Sequence, residues 1–213
     1  MQAGLRTRCT AFEGARRIAA GELADVALRA KAVVDKGEQV LIFDDATSDA
    51  IEVDFRGTPD DVLARLARSD GQLPAPLSDA PRGPGRPKLG VVAREVTLLP
   101  RHWEWLSAQP GGASVALRKL VEEARRANAG KDRVRQSQEA AYRFMSAMAG
   151  NRHGFEEATR ALFGGQRERF DELIEHWPRD IRNHARQLAA NAFESSALHR
   201  PARADDTPPT GGS

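Results

Sequence analysis

The chain has 213 residues, 40% hydrophobic and 29% charged, with 32 Lys and Arg against 30 Asp and Glu. The apolar share is below the ~45–50% of ordinary globular domains, so one or two folded units with solvated linkers are expected. No run approaches the ~18 apolar residues of a membrane span, arginines at 6, 8, 16 and 17 interrupt any secretory signal, and the lone Cys9 excludes an intramolecular disulfide, which together point to a cytoplasmic protein without a membrane partner.

In chain order, residues 1–68 predict a small unit of order β-α-β-β-α. Arg8 to Phe12 is read as a strand, followed by a helix from Ala15 or Gly21 to Val34. Leu23, Val26, Ala27, Ala30 and Val34 form its apolar stripe, and Gly37 ends it. Gln39 to Phe43 and Ala50 to Phe55 are expected strands, the second alternating Ile51, Val53 and Phe55 on one face, with Asp44 to Asp49 as a hairpin loop. Thr58-Pro59-Asp60-Asp61 starts a short helix to about Arg68, combining an N-cap hydroxyl, Pro at the first position and acids facing the helix dipole.

Residues 69–90, with five prolines and four glycines, have no apolar period and read as an extended linker. Residues 132–194 predict a bundle of short helices carrying four apolar stripes: Ala140, Phe144, Ala147 and Met148; Phe155, Ala158, Leu162 and Phe163; Phe170, Leu173, Ile174 and Trp177; Ile181, Ala185, Leu188, Ala189 and Ala192. Gly150, Gly154, Gly164-Gly165 and Pro178 punctuate these segments. The tail, 195–213, is rich in Pro, Gly, Thr and Asp and is expected to be disordered. The fold class is therefore α+β, mainly α.

The functional expectation centres on 91–128. A β-rich run from Val91 to Leu99 meets Pro100. A short helix follows, with Trp103 and Leu106 on one face, then a Pro110-Gly111-Gly112 break. Ser114 is a candidate N-cap for a longer helix seamed by Leu117, Leu120, Val121 and Ala124. A unit this small cannot bury its own core and calls for a second copy. The charge points to the same region: residues 82–135 hold twelve basic and five acidic side chains, a net +7, against −3 for 1–67 (nine basic, twelve acidic) and zero for 136–200 (nine of each). A basic block in a near-neutral chain is the footprint of a polyanion partner, or else of a merely solvated face.

This segment resembles the ribbon-helix-helix family of Arc- and MetJ-type DNA-binding proteins, giving the unit a ribbon-helix-helix middle. The resemblance implies a homodimer whose paired strands enter the major groove of double-stranded DNA, as in transcription regulation. It also implies that backbone N–H groups at Ala113, Ser114 and Val115 hold a phosphate, with Arg118 and Lys119 as electrostatic support. Strand alternation leaves two registers. The favoured one hides Val96 and Leu98 and turns Ala93, Glu95, Thr97 and Leu99 to the groove; the other turns out Arg94, Val96 and Leu98. Neither offers the usual Arg, Lys, Asn and Gln readers. The dimer core is then Val96, Leu98, Trp103, Leu106, Leu117, Leu120 and Val121. Upstream, Gly85-Arg86-Pro87-Lys88 resembles the AT-hook, with Pro84 where the first core arginine belongs and Arg82 two residues further back. It implies a minor-groove or backbone arm of Arg82, Arg86 and Lys88.

The whole chain is similar to an uncharacterised bacterial family, domain of unknown function 2239, which implies no activity. The alternative function is a protein–protein adaptor or antitoxin-like binder in which the central segment only dimerises, with an effector or protein partner at the N- or C-terminal unit in either case. Other candidates rank below. Asp44, Asp45, Asp49 and Asp54 could gather a divalent cation but read better as a solvated loop. His176 and His184 lack the company of a zinc site. Trp177-Pro178-Arg179-Asp180 reads as a core tryptophan before a helix start, or as a partner groove. With no phosphate-binding loop, dinucleotide fingerprint or nucleophile elbow, no enzyme, cofactor or metal is expected.

Overall fold

The computed structural model describes residues 4–70, 92 and 94–193. Contacts divide the chain into two units, breaking between Gly71 and Gln72 and between Ala129 and Gly130, with the N- and C-terminal portions together in the first. The fold is α+β and mainly helical. Among the described residues no helix is long and apolar enough to cross a membrane. The expected linker and tail, with Arg82, Arg86 and Lys88, lie outside the described residues.

The first unit is built on a three-stranded antiparallel sheet of order β2-β1-β3, formed by β1 (Arg8–Glu13), β2 (Arg16–Glu22) and β3 (Val40–Asp44). β1 and β2 close through a two-residue turn whose first residue, Gly14, has φ +53°, a left-handed value that costs glycine little. A bulge follows, where Ala11 pairs with Ala19 but Phe12 pairs with Arg17. Central β1 is buried on both faces. Cys9 and Ala11 pack with α1 (Leu23–Val34) and α2 (Pro59–Asp70) through Leu23, Val26, Ala27, Val62 and Leu66, while Phe12 points to the other side. β3 repeats the division, Ile42 on the first face and Phe43 on the second. The period-2 side-chain alternation thus serves two cores from one strand.

The predicted order is corrected to β-β-α-β-α. Residues 16–22 form a strand because β1 is there to pair with; the helix starts only at Leu23. The predicted strand from Ala50 to Phe55 reduces to one bridge, Phe43 with Ala50. Ile51, Val53 and Phe55 still pack on the core. Beyond Ile51, however, backbone oxygens are taken by side chains instead of a ladder: Lys31 donates to the Phe55 carbonyl at 3.2 Å and Arg65 to that of Asp54 at 2.8 Å. Asp54 is held well below the usual carboxylate range by hydrogen bonds from Arg56. At α2, Thr58 accepts from the Asp61 backbone N–H at 3.2 Å, and the Asp61 carboxylate accepts from that of Thr58 at 2.8 Å, a reciprocal cap.

The second face of the sheet is covered by the C-terminal half of α4 (Gly112–Ala149), with α5 (Phe155–Phe163), α6 (Arg167–Leu173), α7 (Arg179–Leu188) and a closing 3-10 turn, Ala190–Phe193. Phe12, Phe43, Phe144, Phe170, Ile174, Trp177 and Ile181 form one core, so the predicted α/β segment and helical bundle share their interior. Trp177 is buried and donates its indole N–H to the His153 carbonyl at 3.1 Å. Asp180 ties α7 to the sheet by accepting from the Arg17 N–H at 2.9 Å.

Candidate nucleic-acid interface

The second unit is small. Its helices are α3 (Pro100–Ser107) and the N-terminal part of α4. Pro100 takes the first helical position, where a missing N–H is harmless, and the Leu99 carbonyl accepts from His102 and Trp103 at 2.9 and 3.3 Å. Gly111 and Gly112 both have positive φ, +85° and +73°. The positive φ favours glycine at 111, and a Cβ there would also press on the Val115 side chain at 3.2 Å.

α4 begins at Gly112, three residues earlier than an N-cap at Ser114 implies, which puts Ser114 inside its first turn rather than at the cap. The helix continues through the predicted boundary near 128 to Ala149. Ala113 and Ser114 therefore lie in the turn whose N–H groups lack intrahelical acceptors, the feature an anion uses, whereas Val115, the fourth residue of α4, falls where the helical hydrogen bonding begins. Arg118 is exposed and folds back on the Ser114 carbonyl at 2.9 Å. Lys119 is exposed beside a groove of about 190 Å³ bounded by Trp105, Gln109, Leu120 and Glu123.

Residues 94–99 belong to no sheet, and Glu95, Thr97 and Leu99 are all exposed. The expected ribbon needs a strand from a second chain, so a lone chain leaves the ladder unmade. The expected dimer core is split. Leu106 is buried and Leu98 and Leu117 are half-buried, but Val96 is 55%, Trp103 39%, Leu120 43% and Val121 63% exposed. Trp105 and Leu99 add 52% and 49%. Among the described residues of this unit, only Leu106 and Ala116 are buried apolar residues. On α4, Arg125 and Arg126 both bond Glu122, at 3.1 and 3.2 Å, and Arg135 bonds Asp132 at 3.0 Å, so part of the basic charge is answered within the helix.

The lower-ranked candidates resolve into separate contacts. Asp44 caps its own loop by accepting from Ala46 and Thr47 at 2.8 and 3.0 Å, Asp49 pairs with Arg143 at 3.3 Å, and Asp54 with Arg56 at 2.7 Å. Cys9 is buried, and burial with Asp45 and Asp44 nearby pushes its thiol up to about 12. His176 is exposed whereas His184 is buried, so they share no site.

Sequence reasoning missed what His184 does. Its ring sits 4.6 Å from that of Phe144 and 5.4 Å from that of Phe12, and neither nitrogen has a hydrogen-bond partner among the described residues. Burial lowers its pKa; Asp45 opposes that shift and Arg17 adds to it. Its place on the apolar face of α7, in step with Ile181, Ala185 and Leu188, was the available signal.

No curated protein and no solved structure was found to match the chain. A family model, described as "Uncharacterized protein conserved in bacteria (DUF2239)", matches residues 8–189, spanning the sheet, both helical portions and the central segment, and the chain belongs to that family.

Proposed function

We propose that the chain is a homodimeric bacterial DNA-binding protein acting in transcription regulation. Paired strands from residues 91–99 of two copies enter the major groove, with the arm of Arg82, Arg86 and Lys88 on the flanking backbone or minor groove. The observation that carries this reading is the unfinished core of the central unit: between residues 96 and 121, six large apolar side chains stand 39–63% exposed, while Leu106 is buried. Because each is about half exposed, completing their burial is worth roughly 1 kcal/mol per side chain, or about 6 kcal/mol for the six. Association costs about 4–15 kcal/mol of freedom, so ladder hydrogen bonds between the two strands have to contribute as well. First-turn N–H groups at Ala113 and Ser114, with Lys119 as electrostatic support, then supply the phosphate contact.

The test is anisotropy of labelled duplex DNA across a salt series, with oligomeric state measured by sedimentation. Each neutralised phosphate contributes about −0.9 to the log–log salt slope. Leu120→Asp abolishes both the dimer and the binding. An absence of duplex binding at low salt rejects the reading.

One observation favours an adaptor or antitoxin-like binder that only dimerises here. Glu95, Thr97 and Leu99 form a poor set of base readers, since Glu favours only a cytosine amine and otherwise repels phosphate. In that case Thr97→Ala combined with Arg86→Ala and Lys88→Ala leaves activity intact, while Leu120→Asp still breaks the dimer.

A further inference from the structure

Within the first unit, three segments far apart in sequence converge on a cleft of about 230 Å³. Asp45 comes from the loop after β3, Arg133, Gln136 and Ser137 from α4, Gln187 from α7 and Asn191 from the closing turn. The wall is unusually rich in complementary chemistry: one carboxylate, one guanidinium and three side-chain amides. Ser137, at the buried base, donates its hydroxyl to the Leu188 carbonyl and keeps its oxygen free to accept. The amides of Gln136, Gln187 and Asn191 make no hydrogen bond to any described residue.

We propose that this cleft binds a small zwitterion of the free α-amino acid class, with its ammonium on Asp45, its carboxylate on Arg133 and a polar side chain read by the three amides. Four physical points select that class. A simple anion would be repelled by Asp45 and a simple cation by Arg133, whereas a molecule bearing both charges satisfies each wall. Asp45 already accepts the Thr10 hydroxyl at 2.6 Å, which orients the carboxylate and leaves lone pairs for a ligand. The five donors of a guanidinium let Arg133 serve a carboxylate alongside its existing contacts. Among the described residues no aromatic side chain lines the cleft, so a nucleobase finds no stacking platform there. The site is independent of the nucleic-acid reading.

The experiment is thermal unfolding and titration calorimetry of the full chain with each of the twenty free amino acids. Methylamine and acetate serve as single-charge controls, and cytidine as the base-bearing control. The expected result is saturable stabilisation by a subset of amino acids with polar side chains and none by the three controls. Binding weakens at least tenfold in Asp45→Asn and in Gln187→Leu and is unchanged in Arg160→Ala, an exposed residue on α5. Gln187 is exposed, so its variant keeps the test valid if Asp45→Asn fails to fold. No stabilisation by any amino acid at 10 mM overturns the proposal, as does equal stabilisation by a control or binding indifferent to Gln187→Leu.

Discussion

Acid should unfasten the sheet from the helices through His184. The imidazole lies at the seam between β1 and helices α4 and α7, in ring contact with Phe12 and Phe144, and both nitrogens lack partners among the described residues. Burial sets its folded-state pKa below the ordinary 6.5. Asp45, at the end of β3, opposes that shift and Arg17, on β2, reinforces it. The fold thus holds the neutral form. Stability is complete above pH 6.5 and falls as the solution is acidified, because the unfolded chain takes up the proton first; the loss ends only once the folded-state value is passed. Within that window the cost is about 1.4 kcal/mol per pH unit for this one group.

His184→Leu removes the titration while keeping an apolar filler. At pH 7.5 the variant should match the parent within about 1.5 kcal/mol, since swapping an unsatisfied polar group for an apolar one is close to neutral. Between pH 6.5 and 5 its urea-unfolding free energy should lack the extra slope of the parent. Intrinsic fluorescence is a suitable probe, because Trp177 is buried in this unit while Trp103 and Trp105 are already exposed. Identical pH slopes for parent and variant would refute this account.

Two further outcomes are expected. Trp177→Ala should destabilise the first unit by about 3–5 kcal/mol by opening a cavity, whereas Trp177→Phe should lose much less, chiefly the indole hydrogen bond to His153; chemical denaturation followed by circular dichroism measures both. Gly130 is a helix-interior glycine in α4 with open space where a Cβ would go, inside a stretch, 123–131, exposed on every face. Gly130→Ala should therefore strengthen the helix locally by about 1 kcal/mol, seen as slower amide hydrogen exchange around residue 130; unchanged exchange there would contradict the propensity argument.

Local chemistry was enough to read several features from the amino acids alone. Thr58-Pro59-Asp60-Asp61 started α2 because a cap needs only neighbouring residues. The stripe Leu23, Val26, Ala27 and Ala30 identified the buried face of α1, and the central short helix followed from Pro100 and the Gly111-Gly112 turn. What depends on partners distant in sequence was not legible. Arg16–Glu22 carries an alanine-rich run compatible with a helix, and it is a strand because β1 lies within pairing distance. Ile51, Val53 and Phe55 alternate as a strand should, but Lys31 and Arg65 occupy the carbonyls a ladder would use. The cap expected at Ser114 lies three residues earlier, because a helix start among consecutive small residues has no unique cap.

The candidate interface divides along the same line. Its residue types, basic charge and turn glycines belong to the sequence. The exposure of Val96, Trp103, Leu120 and Val121 is a tertiary fact, since burial is a property of everything that surrounds a side chain and not of the side chain itself. The cleft of Asp45, Arg133, Gln187 and Asn191 is tertiary altogether: no motif links positions 45, 133 and 191, and only the packing of the sheet against α4 and α7 brings them to one wall.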